Sequence, residues 1–144
     1  DSDHEIEARA GAEISWIFDV EGEEGFRDRE EQIIDELTQQ EGLVVATGGG
    51  VVLRPENRIV MSNASTVVYL EASLSTLVSR TEGKTKRPLL VGKDVRKVLQ
   101  EIMAVREPLY REVADVTVAS TGGSAKKLAG VIAEKLTAFK KGEP

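Results

Sequence analysis

Few folds accept the string Leu43-Val44-Val45-Ala46-Thr47 followed at once by Gly48-Gly49-Gly50. The run is too short and too continuously apolar for a surface helix, and the glycines stop any regular element after it. It predicts a buried strand over 43–47. Similar runs return at Thr66-Val67-Val68-Tyr69-Leu70 and from Asp115 to Ala119. Between them the periodicity is helical. Ile6, Ala10 and Ile14 recur at helical spacing ahead of Trp16-Ile17-Phe18, and Ile33, Ile34 and Leu37 stand in the polar stretch from Glu23 to Gln40. Further helices are predicted over about 56–63, from the cap-like Ser73 to Arg80, over 95–113 and over 125–140. Continuous apolar strands alternating with helices imply an α/β fold whose parallel sheet is covered by helices on both faces. The segment from Thr81 to Gly92 is polar, contains Pro88 and lacks periodicity, so it reads as a mobile loop.

At 144 residues, 40% of them hydrophobic, the chain can bury one core and is expected to form a single domain over 1–144. Its net charge of −6 leaves no basic excess to draw it to nucleic acid or anionic lipid. There is no cysteine, which removes disulfides, thiolate metal sites and cysteine nucleophiles, and His4 is the only histidine, which argues against a Ser-His-Asp triad. No apolar run approaches the length of a membrane span, and the start Asp1-Ser2-Asp3 is acidic where a signal peptide is basic. A cytoplasmic location is expected.

Ligands of open parallel sheets bind beyond the carboxyl ends of the strands, so the residues that follow each strand carry the most information. Gly48, Gly49 and Gly50 let backbone N–H groups approach a ligand where a side chain would collide, although a plain turn is the alternative. Arg27, Arg80, Arg87 and Arg106 are candidates for carboxylate or phosphate recognition, because a guanidinium offers two parallel donors and keeps its charge; any one of them alone is more often a solvated surface cation. Asp1 and Asp3 could serve a metal and a hydroxyl proton, or could simply begin a helix. Gly83-Lys84-Thr85 mimics the end of the phosphate-binding loop G-x-x-x-x-G-K-[ST]. The match fails, since Val78 stands where the first glycine should be and a helix precedes it.

Taken in order, Asp1-Ser2-Asp3, Ile17-Phe18, Gly22-Glu23, Phe26-Arg27 with Glu30, Thr47-Gly48-Gly49-Gly50, Asn57-Arg58, Val67-Val68-Tyr69-Leu70, Arg80-Thr81, Arg87-Pro88-Leu89-Leu90 and Arg106-Glu107-Pro108-Leu109-Tyr110 resemble the shikimate kinases over nearly the whole chain. The resemblance implies a P-loop kinase fold and ATP-dependent phosphorylation of a hydroxyl of shikimate, with Mg²⁺, by a monomer. It implies that Asp3 contacts the acceptor hydroxyls and helps remove the proton, and that Arg27 and Arg106 hold the carboxylate. Gly48, Gly49 and Gly50 would pack on the acid, Glu30 would orient Arg27, and Phe18 and Phe26 would wall the pocket. Arg87 would meet the ATP phosphates from a lid over about 81–92. Arg80 would stack on adenine, with the turn ending at Ser124 beside it, and Asp1 would hold Mg²⁺ through water. One departure stands out. The family's first strand, which is central in the sheet, its phosphate-binding loop and helix, and its second strand have no counterpart in this sequence. Two other readings therefore stay open: a related kinase with another acceptor, and a non-catalytic fragment that binds the acid.

Overall fold

The computed structural model of the protein describes residues 1–81 and 94–140. They fall into two compact units, residues 1–65 and residues 66–81 with 94–140.

The first unit is helical. Helix α1 (Ser2–Ala10) starts at Asp1, whose carboxylate accepts the backbone N–H of His4, and stops at Gly11 in the left-handed conformation. Helix α2 (Ile14–Thr38) follows, so the expected helix through Ile6, Ala10 and Ile14 is two helices divided at Gly11. Inside α2, Gly22 has φ 74° and ψ 177°, which no helix contains, and the axis kinks there. Only glycine adopts that conformation without a steric cost. Across the kink Glu21 makes two hydrogen bonds of 2.8 Å with Arg29, which fix the bend. Ile6, Ile17, Phe26 and Ile33 form the core, with Ala10, Ile14, Phe18 and Leu37 packed against it. After α2 comes a short 3₁₀ turn, Gly49–Leu53, and helix α3 (Pro55–Ala64). Two side chains of α3 hold that turn from below. Asn57 donates to the carbonyl of Val51 at 3.0 Å and Arg58 to that of Val52 at 2.8 Å. Arg54, between turn and helix, binds Asp28 and Glu31 at 2.7 and 2.8 Å and so fastens the turn to α2.

The strand expected over 43–47 does not form. A strand requires a partner along its length, and among the described residues this segment has one interstrand-like bond, from the Ser2 N–H to the Ala46 carbonyl at 2.8 Å. Val44 is fully exposed and Leu43 half-exposed, so the run is not buried either.

The second unit is α/β. Strands β1 (Val68–Glu71) and β2 (Val116–Ala119) pair in parallel, Val68 opposite Val116 and Glu71 opposite Ala119, joined by helices α4 (Leu74–Thr81) and α5 (Val95–Val113). Helix α6 (Ala125–Lys140) packs against β2. The α/β class and the parallel pairing are thus as the sequence predicts, with β1 beginning two residues later than the apolar run. Tyr69 of β1 stacks on Tyr110 of α5 with ring centroids 5.0 Å apart. Arg111 ties the same two elements together through Glu71, and it also binds Glu107 one turn back. No helix among the described residues is long and apolar enough to cross a membrane.

Candidate active site

In the first unit, residues far apart in sequence converge on Arg27. Arg27 lies only 6% exposed in α2, after the kink. Nη1 donates to Glu30 at 2.9 Å and Nη2 to Glu23 at 3.3 Å, one turn ahead and one turn behind. Its Cζ stands 5.1 Å from the centroid of Phe26, whose ring is 5.0 Å from that of Phe18, so the cation rests on an aromatic floor. Above it passes the glycine turn. A β-carbon at Gly50 would collide with Nη1, Nη2 and Cζ of Arg27, and one at Gly48 would meet the two carboxylate oxygens of Asp3 at 3.1 and 3.2 Å. The absence of side chains at these two positions is what lets backbone, cation and carboxylate come together.

The electrostatics of this cluster are uneven. Burial holds the Asp3 carboxyl above its ordinary range, and the nearby Arg27 charge opposes that shift without cancelling it. Asp3 Oδ1, Arg27 Nε and Ser2 Oγ are buried and find no hydrogen-bond partner among the described residues. Such groups cost about 1–3 kcal/mol each when left unmet, so each one in a native structure points to a functional role or to a bound ligand, ion or water. Besides the Ser2 hydroxyl, the unmet set is an acceptor on Asp3 and a charged donor on Arg27. A molecule that carries both a hydroxyl and a carboxylate complements it.

Asp3, Arg27, Glu30, Gly48, Gly49, Gly50, Phe18 and Phe26 all lie in this unit; Gly49 opens the 3₁₀ turn. In the second unit Arg80, at the end of α4, donates to the hydroxyl of Ser120 at 3.0 Å, and Ser124 caps α6 by accepting from the Lys127 N–H at 3.1 Å. The two residues expected to border the adenine are thus attached to the ends of α4 and of the loop after β2. Arg106, half-buried, sits in the middle of α5. Arg87 and the lid lie outside the described residues, apart from Thr81 at the end of α4. Asp1 is exposed, with one carboxylate oxygen engaged as the cap of α1. No group of three or more metal-binding side chains occurs among the described residues.

Sequence reasoning gave no role to Glu23, Asn57, Arg58 or Arg54. Glu23 could have been found from its spacing, since an acid four residues before an arginine on a helix faces it. Asn57 and Arg58 act through carbonyls of a turn whose shape no local pattern announces.

The family model for shikimate kinase matches residues 1–137, which run through both units. The chain is 54% identical over 140 residues to a shikimate kinase of Mannheimia succiniciproducens, covering 96% of this chain and 80% of that protein. It is likewise 54% identical over 136 residues to a shikimate kinase of Halorhodospira halophila, covering 94% of this chain and 77% of that one. Among solved structures, shikimate kinase from Acinetobacter baumannii in complex with shikimate is similar with a TM-score of 0.94 at 42% identity, over 97% of this chain and 78% of the other. That from Aquifex aeolicus follows at a TM-score of 0.82 and 25% identity, over 96% and 80%. A match along nearly the whole chain, a parallel α/β unit and a buried arginine beside a desolvated aspartate agree with one another: the chain belongs to the shikimate kinase family.

Proposed function

We propose that the protein transfers the γ-phosphoryl group of ATP to a hydroxyl of shikimate, with the acid held over the Arg27 cluster. The observation that carries this reading is the pair of buried, unmet groups on Asp3 and Arg27. The hydroxyl oxygen attacks the γ-phosphorus while the bond from that phosphorus to the bridging oxygen of ADP breaks. Asp3, whose carboxyl is held above its ordinary range, receives the hydroxyl proton. Arg27 fixes the carboxylate, a role that the family resemblance alone extends to Arg106, and the glycine turn excludes water from that side. Arg87 meets the phosphates as charge develops, and Arg80 and Ser124 border the nucleotide. Such a reaction depends on positioning and charge stabilisation and needs no covalent enzyme intermediate.

Asp1 is an exposed carboxylate with one oxygen already used, which fits Mg²⁺ held through its water shell and not by direct ligation. Bound there, the ion would offset phosphate charge. Residues 1–144 are read as one kinase domain, because a single family model runs through both units. The phosphate-binding loop is read as a segment ahead of Asp1 in the full-length protein. In support, 43–47 is apolar yet exposed, and the Ser2 to Ala46 bond is a single rung of the kind a longer ladder would continue. The reading frame upstream of Asp1 tests this, and absence of G-x-x-x-x-G-K-[ST] there removes it.

Calorimetric titration of the full-length enzyme with shikimate tests the acid site. A charged hydrogen bond contributes about 1.5–3 kcal/mol, so Arg27→Ala should lose one or more decades of affinity with nucleotide binding retained. Unchanged shikimate affinity would take Arg27 out of the site.

A further inference from the structure

We propose that Glu23 is an internal stand-in for the substrate carboxylate, and that the incoming acid binds by exchanging with it on Arg27. The inference rests on the acid site described above and names the event that opens it. Arg27 has two carboxylate partners of very different character. Glu30 is fully buried and bonded at 2.9 Å. Removing it would strand a charge in the interior, so it stays. Glu23 is 45% exposed in its side chain and bonded at 3.3 Å, near the outer limit of a useful charge-assisted bond. It can leave to water at little cost.

Position and charge both favour that exchange. Gly22 breaks α2 immediately before Glu23, so Glu23 occupies the first turn of the helical segment that carries Arg27. An acid in a first turn is favoured by the unpaired N–H groups there, and a released Glu23 therefore keeps a stable resting place. Arg27 also faces three carboxyl groups, those of Glu23, Glu30 and Asp3. An anionic acid added to that set would meet net repulsion. Exchange for Glu23 leaves the charge around the guanidinium unchanged, and a planar carboxylate can form two parallel bonds where Glu23 forms one. Anions that bind through a single oxygen, and neutral esters, gain less from the exchange than they lose. On this basis Glu23 sets a threshold that selects carboxylates.

The test compares the full-length enzyme with Glu23→Ala and Glu23→Asp, titrated with shikimate and with its methyl ester, alongside the Michaelis constants for shikimate and ATP. Glu23→Asp keeps the charge on a side chain one methylene shorter, which weakens a contact that is already long at 3.3 Å. Exchange predicts that both variants bind shikimate about two- to fivefold more tightly, the size of a half-exposed ion pair. The Michaelis constant for shikimate should fall with it, while that for ATP and the affinity for the ester stay unchanged. A gain in Glu23→Ala alone would mean a field effect without exchange. A loss in both would mean that Glu23 positions Arg27. Equal affinity throughout would mean that it does neither, and each of these three results overturns the proposal. Arg27→Ala separates the two levels of the argument. If it keeps shikimate affinity, the acid site itself is misplaced; if it loses affinity while the Glu23 variants gain none, only the exchange fails.

Discussion

Replacing Gly50 with alanine tests the geometry of the acid site through one methyl group. Gly50 does not have the positive φ that excludes other residues, so alanine suits the backbone and the effect is steric. The added carbon would overlap the Arg27 guanidinium, and one of two things must yield. If Arg27 swings aside, it abandons the buried Glu30 carboxylate, at a cost of about 3–5 kcal/mol for breaking such a pair. If the glycine turn lifts, the cost is that of overpacking, about 1–3 kcal/mol. The cheaper route prevails. Against a total stability of about 5–15 kcal/mol, Gly50→Ala should lower the melting temperature by several degrees without abolishing folding. In the proposed binding mode the turn also closes over the acid, so shikimate affinity should fall by about a decade or more, which corresponds to 1.4 kcal/mol or more. A double-mutant cycle with Arg27→Ala isolates the cause. With the guanidinium removed, the three atoms nearest the added methyl group are gone, and its stability cost should shrink to within about 0.5 kcal/mol of zero. An undiminished cost in the Arg27→Ala background would refute the assigned clash.

Asp3→Asn should raise stability at neutral pH while turnover falls about 10²- to 10⁴-fold, the range for loss of a general base. Burial raises the Asp3 pKa, so the aspartate's contribution is fully present below the unfolded pKa and is lost as pH rises through the folded one. The melting-temperature gain should therefore be largest near pH 7 and vanish below about pH 4; solvent screening at this half-exposed site keeps it under about 1 kcal/mol. A variant that is destabilised at pH 7 would reverse the reading of that carboxyl. Arg87→Ala should depress turnover far more than shikimate affinity, because a cation in the role proposed for Arg87, against the phosphates of the reacting complex, acts on the transition state. Steady-state kinetics with normal turnover and only a raised Michaelis constant for shikimate would place Arg87 elsewhere.

The elements legible in the sequence are those whose signal is local. Helices α5 and α6 match the periodicity residue for residue, with Asp94 capping the first through the Lys97 N–H, and α3 and α4 differ by a residue at each end. Periodicity alone could not show the division at Gly11 or the kink at Gly22, because the apolar spacing carries on through both. The 43–47 run departs from the strand its composition predicts for a deeper reason. Apolar composition records that a segment is meant to be covered, but strand structure also needs a hydrogen-bonding neighbour, and that neighbour is written elsewhere in a chain. In the site, the pairing of Arg27 with Glu23 and Glu30 follows from helical spacing and could be read directly. The approach of Gly48 to Asp3 could not. It joins α1 to a turn reached only after the whole of α2, and only the folded chain brings them within contact.

The unmet groups around Arg27 bear on selectivity as well as on affinity. Asp3 Oδ1 and Arg27 Nε are desolvated before any ligand arrives, so the folded chain already carries that cost. A hydroxy acid that bonds both groups recovers it. An alcohol without the carboxylate leaves Arg27 Nε unmet, and an acid without the hydroxyl leaves Asp3 Oδ1 unmet, in a site where Phe18 and Phe26 offer neither a substitute. Sites built to hydrogen-bond a given group reject analogues that lack it far more strongly than apolar pockets reject a missing methylene. Discrimination by this site therefore comes chiefly from what the wrong ligand leaves unpaired. That explains why a kinase would keep a buried arginine and a desolvated aspartate side by side at the expense of its own stability.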